Sequence, residues 1–224
     1  MSVWVCPHCP TAAENDIKKI SGLPRLYAYP CEPDFENGGF VIIDSGAFGL
    51  SQAKKKMSVS YMKKLSEHYE KYHAENVFCV APDEFLNPQQ TMFNFVTWQK
   101  AKLFGQICPV LQSDTKYIAN EKTILQQAEF YKKKSDSKVI FFSNPSMYAE
   151  KYLDKIFKKV KEIGFDWIHC LGAGWDIEDV KKWGSMQYLD SFDSIAYYTT
   201  KDKYAFGSLD AYKNVTEILR CLKT

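Results

Sequence analysis

The run Phe40-Val-Ile-Ile-Asp44-Ser45-Gly46-Ala47-Phe48 joins an apolar stretch to a short polar turn. Its apolar start is typical of a buried strand, and the strand delivers a carboxylate into a loop that contains glycine. A second apolar run, from Tyr188, ends in Asp193-Ser194. Either Asp alone is also explained by a turn or a helix cap, where Asp is common. Two such carboxylates could instead flank one reacting bond.

Short β-rich runs alternate with stretches of helical spacing along the chain. Strands are predicted at Val3–Val5, Leu26–Tyr29, Val41–Ile43, Val77–Ala81, Ile107–Leu111, Val139–Phe142, Trp167–Leu171 and Ser194–Tyr197. Such alternation indicates βα units and a parallel sheet. Eight strands predict an α/β fold of the (β/α)8 TIM-like barrel type, although no convincing helix follows the second strand. No linker or repeat divides the chain, so we expect one domain over residues 1–224.

Four helices are marked by their apolar spacing and by their ends. One carries Tyr61, Leu65, Tyr69 and Tyr72 on one face; a second opens at Asn87-Pro88 and extends through Phe104; a third carries Tyr152, Ile156, Val160 and Ile163 and is closed by Gly164; a last one is capped by Ser208. A cap residue followed by proline, and a glycine just beyond the last turn, are established start and stop signals.

Composition sets the class of protein. The 224 residues are 46% hydrophobic and 25% charged, as in an ordinary globular protein, and 29 basic residues nearly cancel 27 acidic ones. No apolar run reaches the roughly 18 residues of a membrane helix, and the start of the chain lacks the features of a secretory signal. The seven cysteines are an odd number spread along the chain, a pattern that favours reduced thiols over a disulfide framework. We therefore expect a cytoplasmic protein.

Polar residues follow most of the predicted strands. In a barrel of this type the active site lies at the C-terminal ends of the strands. There the sequence places Asp44-Ser45-Gly46, Pro82-Asp83-Glu84, Gln112-Ser113-Asp114, Ser143-Asn144-Pro145, Gly172-Ala173-Gly174 and Asp193. Carboxylates, amides and exposed backbone N–H groups together suit a planar, hydrogen-bonding ligand such as a purine.

Five of these segments resemble, in order, motifs of the tRNA-guanine transglycosylases and their DNA-modifying relatives. Asp44-Ser-Gly-Ala-Phe48 resembles the family's Asp-Ser-Gly-Gly-Phe-Gln. Ala81-Pro-Asp83 and Val110-Leu-Gln112 resemble its two base-reading segments. His169-Cys-Leu-Gly172-Ala-Gly174 resembles the segment beneath the base, and Ser191-Phe-Asp193-Ser194 the segment with the nucleophile. Together with the predicted strands that carry them, the motifs span residues 40 to 197.

The resemblance implies a role for each matching residue. Asp193 would be the nucleophile and Asp44 the acid/base. Asp83 would accept hydrogen bonds from the guanine N1–H and 2-amino group, while Gln112 and the Gly172 N–H would donate to its carbonyl. The implied substrate-binding residues are Ser45, Gly46, Phe48, Asp83, Gln112, Leu171, Gly172, Ala173 and Gly174. No metal or redox cofactor is required for this chemistry.

The chain also departs from the family pattern. Gly49 replaces the glutamine of the first motif, and Ile195 to Lys201 replace the Leu-Pro-Thr-Arg stretch. No Cys-x-Cys-x-x-Cys…His pattern follows the predicted barrel, so we expect a barrel without the family's zinc subdomain. Because that subdomain supports tRNA binding, its lack favours a short DNA-acting relative that inserts a 7-deazaguanine.

Two further features have competing explanations. Cys6-Pro-His-Cys9 has half the spacing of a zinc site, and free thiols are the alternative because a complete site needs four ligands. The lysines Lys54, Lys55, Lys201 and Lys203 follow the two aspartate motifs, where they could contact phosphate or be solvated loop residues.

The leading hypothesis is a pentosyltransferase that replaces guanine in a nucleic acid with a 7-deazaguanine, the second substrate. The expected partner is DNA rather than tRNA; no membrane partner is expected, and a homodimer is compatible with the sequence. A hydrolytic N-glycosidase acting on a small purine nucleoside or nucleotide, and a non-catalytic nucleic-acid-binding subunit, are the alternatives. Retention of both Asp44 and Asp193 argues against the non-catalytic one.

Overall fold

A computed structural model describes residues 4–7, 24–35, 39–113, 121–143, 145, 148–174 and 177–194. The strands in these ranges are β1 (Trp4–Pro7), β2 (Arg25–Ala28), β3 (Val41–Asp44), β4 (Val77–Val80), β5 (Ile107–Cys108), β6 (Val110–Leu111), β7 (Val139–Ser143), β8 (Trp167–Gly174) and β9 (Ser191–Ser194). The helices are α1 (Ala47–Gln52), α2 (Val59–Tyr72), α3 (Pro88–Lys100), α4 (Glu121–Lys134), α5 (Glu150–Ile163) and α6 (Ile177–Gly184). The chain is a mixed α/β protein.

The strands form two parallel sheets, ordered β1-β9-β8-β7-β6 and β2-β3-β4-β5. The sheets meet where β5 and β6 are separated by Pro109 alone. The Cys108 carbonyl accepts from the Ala81 N–H at 2.8 Å, and the Pro109 carbonyl accepts from the Phe141 N–H at 2.9 Å. This one segment therefore bonds to the β4 side of one sheet and to β7 of the other.

Strand side chains alternate between the two faces of a sheet, and buried residues lie on both faces. One face packs on the helices in the larger core cluster, which includes Ile43, Phe142 and Phe192. The opposite face, called the inner face below, belongs to a smaller cluster of both sheets: Leu26, Ile42, Val80, Cys108, Val110 and Phe141, with Phe40, Phe78, Val139 and Leu171 at its edge. The sheets therefore turn their inner faces toward one apolar centre.

Local sequence explains the helix ends. The Ser58 hydroxyl accepts from the Tyr61 N–H at 3.1 Å at the start of α2, and the Asn87 side chain accepts from the Gln90 N–H at 3.0 Å at the start of α3. Gly164 ends α5 with a left-handed φ of 111°. The two side-chain caps supply hydrogen-bond acceptors to N–H groups in the first turn, which have no partner within the helix. Glycine at the end of α5 adopts the left-handed conformation that commonly terminates a helix.

The α/β architecture and parallel strands are confirmed, and several bounds differ from the prediction. The last predicted strand, Ser194–Tyr197, overlaps β9 only at Ser194; β9 begins at Ser191, and residues 195–197 lie outside the described ranges. α3 ends at Lys100 instead of Phe104, because the chain turns at Lys102 (φ 51°) and the Trp98 indole donates to the Phe104 carbonyl at 2.7 Å. The helix predicted at Ser208 also lies outside these ranges, and the four predicted helices did not include α1, α4 or α6.

Closure of the sheets into a barrel is not shown. Within the described residues no ladder joins β1 to β2, although Cα atoms of the two strands come within 8 Å of each other. In the same part of the chain, no helix is long and apolar enough to cross a membrane.

Candidate active site

The carboxyl ends of the parallel strands carry the candidate residues. Asp44 closes β3, Asp83 follows β4, Gln112 follows β6, Gly172 lies in β8 and Asp193 lies in β9. Alternation along β3 places Asp44 on the same side as Ile42, a member of the inner-face cluster. Along β9, Asp193 alternates with Phe192, which packs on the helix side. Both aspartates are therefore on the inner face, each at the carboxyl end of its strand.

The first group of site residues is centred on Asp83, which is only 4% exposed. Its Oδ1 accepts from the Ser45 hydroxyl at 2.5 Å, and its Oδ2 accepts from the Gln112 amide at 2.6 Å. The carboxylate thus meets two donors, one on each oxygen. Three residues that the sequence predicted for the site are brought into direct contact here.

Gln112 is held in place by its own neighbours. Its backbone N–H donates to the Gln127 side chain at 3.0 Å, and the Gln127 amide donates back to the Gln112 carbonyl at 3.0 Å. Its side-chain oxygen accepts from the Leu86 N–H at 3.3 Å. Since that oxygen is occupied, the amide nitrogen is the end directed at Asp83.

Burial and a neighbouring charge raise the pKa of Asp83 to about 7. Loss of water around the carboxylate is the larger cause, and the Asp44 carboxylate adds like-charge repulsion. The hydrogen bonds from Ser45 and Gln112 act in the opposite direction. The pKa of Asp83 is therefore well above that of an exposed aspartate, and the Asp44 carboxylate contributes to the difference. Perturbed carboxylates of this kind are concentrated at functional sites.

The loop between β3 and α1 is shaped by Gly46. Its φ of 77° favours glycine, and its N–H donates to the Asp44 carboxylate at 3.0 Å. A Cβ there would lie 2.6 Å from the Tyr61 hydroxyl and 2.9 Å from the Tyr29 carbonyl oxygen. Tyr61 itself donates to the Ser45 carbonyl at 2.8 Å. Helix α2 thus fixes the loop that follows Asp44 and contains Ser45.

The second group is centred on Asp193, which is 6% exposed. Its Oδ1 accepts from the Gly172 N–H at 2.6 Å. The β8–β9 register shifts between Cys170 and Gly174, and Gly172 has a left-handed φ of 67°. This irregularity turns the N–H toward the carboxylate, as bulges beside functional sites do. The sequence did not predict this hydrogen bond from Gly172 to Asp193. A substrate carbonyl would have to compete with Asp193 for the same N–H.

His169 is a residue of this group to which sequence reasoning gave no role. It is fully buried, and its Nε2 lies 3.6 Å from Asp193 Oδ1. The available signal was its position in β8, two residues before Leu171 and therefore on the inner face. Tyr61 and Gln127 were also missed, because a distant side chain that supports a loop leaves no local pattern.

The other predicted site residues differ in position. Phe48 is 52% exposed and packs edge-on against Phe85 at 5.3 Å between ring centroids. Leu171 borders the inner-face cluster, whereas the Ala173 side chain packs in the helix-facing core. Gly174 pairs with Ser194. Lys54 and Lys55 are exposed after α1. Lys201 and Lys203 lie outside the described residues.

No metal site is present in the described part of the chain: no three His, Cys, Asp or Glu side chains are grouped to hold an ion. The side chains of Cys6 and Cys9 are outside that part, so the zinc alternative stays untested. Four cysteines that are described, Cys31, Cys79, Cys108 and Cys170, are free thiols.

A cavity of about 940 Å³ lies at the other end of the strands. Its walls include Val77, Ile107 and Val139, the first residues of β4, β5 and β7. None of the predicted site residues lines it. We place the candidate site at the carboxyl ends because the hydrogen-bonded carboxylates and the perturbed pKa are there.

The chain matches no protein-family profile and no curated protein. Among solved structures it is similar to a mutant flavocytochrome b2 with benzoylformate, with 11% sequence identity and a TM-score of 0.45. That similarity covers all of this chain, which spans 65% of the other. It is too distant to bear on the chemistry of the site.

Proposed function

We propose that this protein exchanges guanine in a nucleic acid for a 7-deazaguanine, by way of a sugar ester on Asp193. The observation that carries the proposal is the Asp83 carboxylate, buried at a strand end with one donor on each oxygen. The Watson–Crick edge of guanine offers the same pattern, because N1–H and the 2-amino group are adjacent donors. The motif resemblance supports the same ligand.

Guanine would replace the two protein donors. If the Gln112 amide turned from Asp83 to the base carbonyl, Oδ2 of Asp83 would be released for a base N–H. The Ser45 hydroxyl could likewise yield Oδ1. The site without a base keeps the carboxylate satisfied by its own side chains, so that no buried acceptor is left without a partner.

The proposed reaction uses two carboxylates in turn. An Asp193 oxygen attacks the sugar C1′ from the face opposite the base, the C1′–N9 bond breaks, and guanine leaves with a proton from Asp44. The N9 of the incoming 7-deazaguanine then attacks C1′, the ester bond breaks, and the N9 proton returns to Asp44. Two inversions give net retention, as in retaining glycosidases.

We further propose that the two sheets close into an eight-stranded barrel. Segment 107–111 already joins them on one side, and β1 approaches β2 on the other. Counted with β5 and β6 as one strand, the order is then that of a (β/α)8 barrel. Closure would gather Asp44, Asp83 and Asp193 at one rim, where barrel enzymes carry their chemistry.

DNA is the proposed polymer. Exposed Lys54 and Lys55 follow α1, the short helix after the Asp44 loop, where they could contact phosphate, and Lys201 and Lys203 follow Asp193 in sequence. In a duplex the target nucleotide would have to be flipped out, at a cost of about a few kcal/mol.

The test is a base-exchange assay read by mass spectrometry of nucleosides. Duplex DNA, single-stranded DNA, tRNA and guanosine are each incubated with the protein and a panel of 7-deazaguanines. We expect 7-deazaguanine in DNA and one equivalent of guanine released. Guanine release that needs no incoming base and leaves an abasic sugar would indicate a hydrolase instead. No release from any substrate would contradict the proposal.

A further inference from the structure

His169 makes an asymmetric set of contacts at the base of the candidate site. The ring is fully buried and packs edge-on against Phe141, with 5.1 Å between centroids. Its Nδ1 lies 2.8 Å from the Ser191 hydroxyl, which is directly opposite in the β8–β9 ladder. Its Nε2 has no hydrogen-bond partner within the described residues and lies 3.6 Å from Oδ1 of Asp193. One side of the ring is anchored and the other faces a carboxylate.

A third residue determines where the ring proton lies. The Trp167 indole, which can only donate, gives its N–H to the Ser191 hydroxyl at 2.8 Å. That hydroxyl then has its own hydrogen left to donate, and Nδ1 of His169 is within reach. With Nδ1 as an acceptor, the neutral ring carries its hydrogen on Nε2. The other tautomer would direct a lone pair at the Asp193 carboxylate and leave the buried hydroxyl hydrogen without this acceptor, which is costly.

We propose that His169 is a positioning residue that orients Asp193 through Nε2–H. This inference rests on the proposed function, in which Asp193 is the nucleophile. The Gly172 N–H at 2.6 Å and the His169 Nε2–H both approach Oδ1, and no described residue donates to Oδ2. Oδ1 is therefore fixed, and Oδ2 is the oxygen that attacks C1′. The 3.6 Å separation is an electrostatic contact that would become a hydrogen bond on a small shift.

The arrangement acts most strongly on the second half of the reaction. Once Oδ2 has bonded to C1′, Oδ1 is the carbonyl oxygen of a neutral ester. When the incoming base displaces that ester, negative charge returns to the carboxylate. Donors already aimed at Oδ1 stabilise this charge as it develops. Loss of His169 should thus slow breakdown of the ester more than its formation.

The first measurement is the tautomer of His169 in the wild-type protein, read from the ¹⁵N shifts and couplings of its ring. We expect a hydrogen on Nε2 and none on Nδ1. Ser191→Ala removes the hydroxyl donor, so the share of the Nδ1-protonated tautomer should rise. A wild-type ring protonated on Nδ1 would overturn the inference. This readout needs no substrate, so it stands even if base exchange fails.

The second measurement compares His169→Phe with His169→Gln, whose amide nitrogen can replace Nε2–H. In His169→Phe we expect a burst of about one guanine per protein, followed by turnover slower by about tenfold. His169→Gln should recover most of the steady rate. Wild-type turnover without a burst in His169→Phe would overturn the inference. If His169→Phe does not fold, the glutamine variant and the tautomer decide.

The proposed function has its own control in these assays. Asp193→Asn should release no guanine. Exchange in the wild type that is lost in Asp193→Asn, together with unchanged kinetics in His169→Phe, would reject His169 and keep the function. No exchange in the wild type would reject the function, and the tautomer would still report on the ring.

Discussion

Asp83 is the residue at which the stability of the fold and the proposed recognition of the base would be linked. The protonated form of Asp83 is neutral and is tolerated in a buried site. The ionised form is unfavourable, because burial removes its water and the Asp44 carboxylate repels it. Together these two effects raise the pKa of Asp83 to about 7. An ionised carboxylate is nonetheless the form that accepts two donors from a guanine edge. The residue is therefore destabilising at the pH at which it would bind best, a conflict that is common at functional sites.

The first prediction concerns stability. The pKa of Asp83 is raised from 3.8 in the unfolded chain to about 7, so its protonated form favours the folded state. That contribution is complete below pH 3.8 and is lost as pH rises through about 7. Asp83→Asn cannot ionise and should gain unfolding free energy relative to wild type as pH rises from 4 to 7, by at most about 1.4 kcal/mol per pH unit. Urea unfolding at several pH values measures this.

Asp136→Asn, which changes an exposed loop aspartate, is the control and should show no such trend. A difference between Asp83→Asn and wild type that stays constant from pH 4 to pH 9 would show that Asp83 does not carry a raised pKa.

The second prediction concerns base selection. Guanine and 7-deazaguanine present two donors to Asp83, whereas adenine presents an acceptor at N1 and has no 2-amino group. Each buried group left unpaired costs about 1–3 kcal/mol, so the protein should bind 7-deazaguanine far better than a 7-deazaadenine. Asp83→Ala should erase most of that preference. Calorimetry measures both, and equal binding of the two bases by the wild type would exclude Asp83 as the base reader.

The pH dependence of binding has a defined sign. Below about pH 7 Asp83 must lose its proton to accept both donors, so affinity for 7-deazaguanine should rise between pH 5.5 and 8 and then level off. Near pH 6, buffers of different ionisation enthalpy should reveal proton release.

At the scale of elements, the loop from β3 into α1 depends on one backbone conformation. Gly46 combines a left-handed φ with a close approach to Tyr61 and to the Tyr29 carbonyl, so a side chain is excluded twice. Gly49, three residues later inside α1, has open space around its Cβ position and no positive φ. A side chain is therefore excluded at position 46 and tolerated at position 49, although the two glycines are only three residues apart.

The third prediction uses this pair. Gly46→Ala should lose at least about 1–3 kcal/mol of unfolding free energy through backbone strain and the clash, and base binding should weaken because Asp44 and Ser45 move. Gly49→Ala should be neutral or more stable by about 0.5–1 kcal/mol, as alanine favours helices. Thermal unfolding measures both. Equal effects of the two changes would show that the Gly46 loop is not constrained.

The elements also show what sequence can predict. The strand ends could be predicted because apolar runs stop at Asp44 and near Asp83 and Gln112. The helix start at Asn87-Pro88 and the helix end at Gly164 could be predicted because both are marked by local sequence signals. Helix α1 was missed because it begins inside a loop motif and has no side-chain cap. The bulge at Gly172 and the contact of His169 with Asp193 depend on the β8–β9 register, which no local pattern encodes.

For the whole molecule, the central question is whether the two sheets form one closed surface. The Arg25 and Tyr29 N–H groups donate to the Phe40 and Asp44 carbonyls at 3.0 Å, on the β3 side of β2. Alternation in a parallel ladder turns the N–H groups of Leu26 and Ala28 to the other side, toward β1. These two amides therefore report directly on closure.

The fourth prediction is that hydrogen-bond scalar couplings connect the amides of Leu26 and Ala28 to carbonyl carbons of β1. The bonds from Arg25 to Phe40 and from Tyr29 to Asp44 serve as positive controls in the same spectrum. Couplings in the controls with none toward β1 would show that β2 is an open edge and that the barrel does not close there.

The most direct test of the account is to trap the sugar on Asp193. A guanine-containing oligonucleotide is mixed with the protein without an incoming base, the reaction is quenched in denaturant, and peptides are mapped by mass spectrometry. We expect the oligonucleotide, lacking one guanine, to be attached to the peptide that contains Asp193 and to be absent in Asp193→Asn. Guanine release with no adduct on that peptide, at an equal rate in Asp193→Asn, would contradict the account.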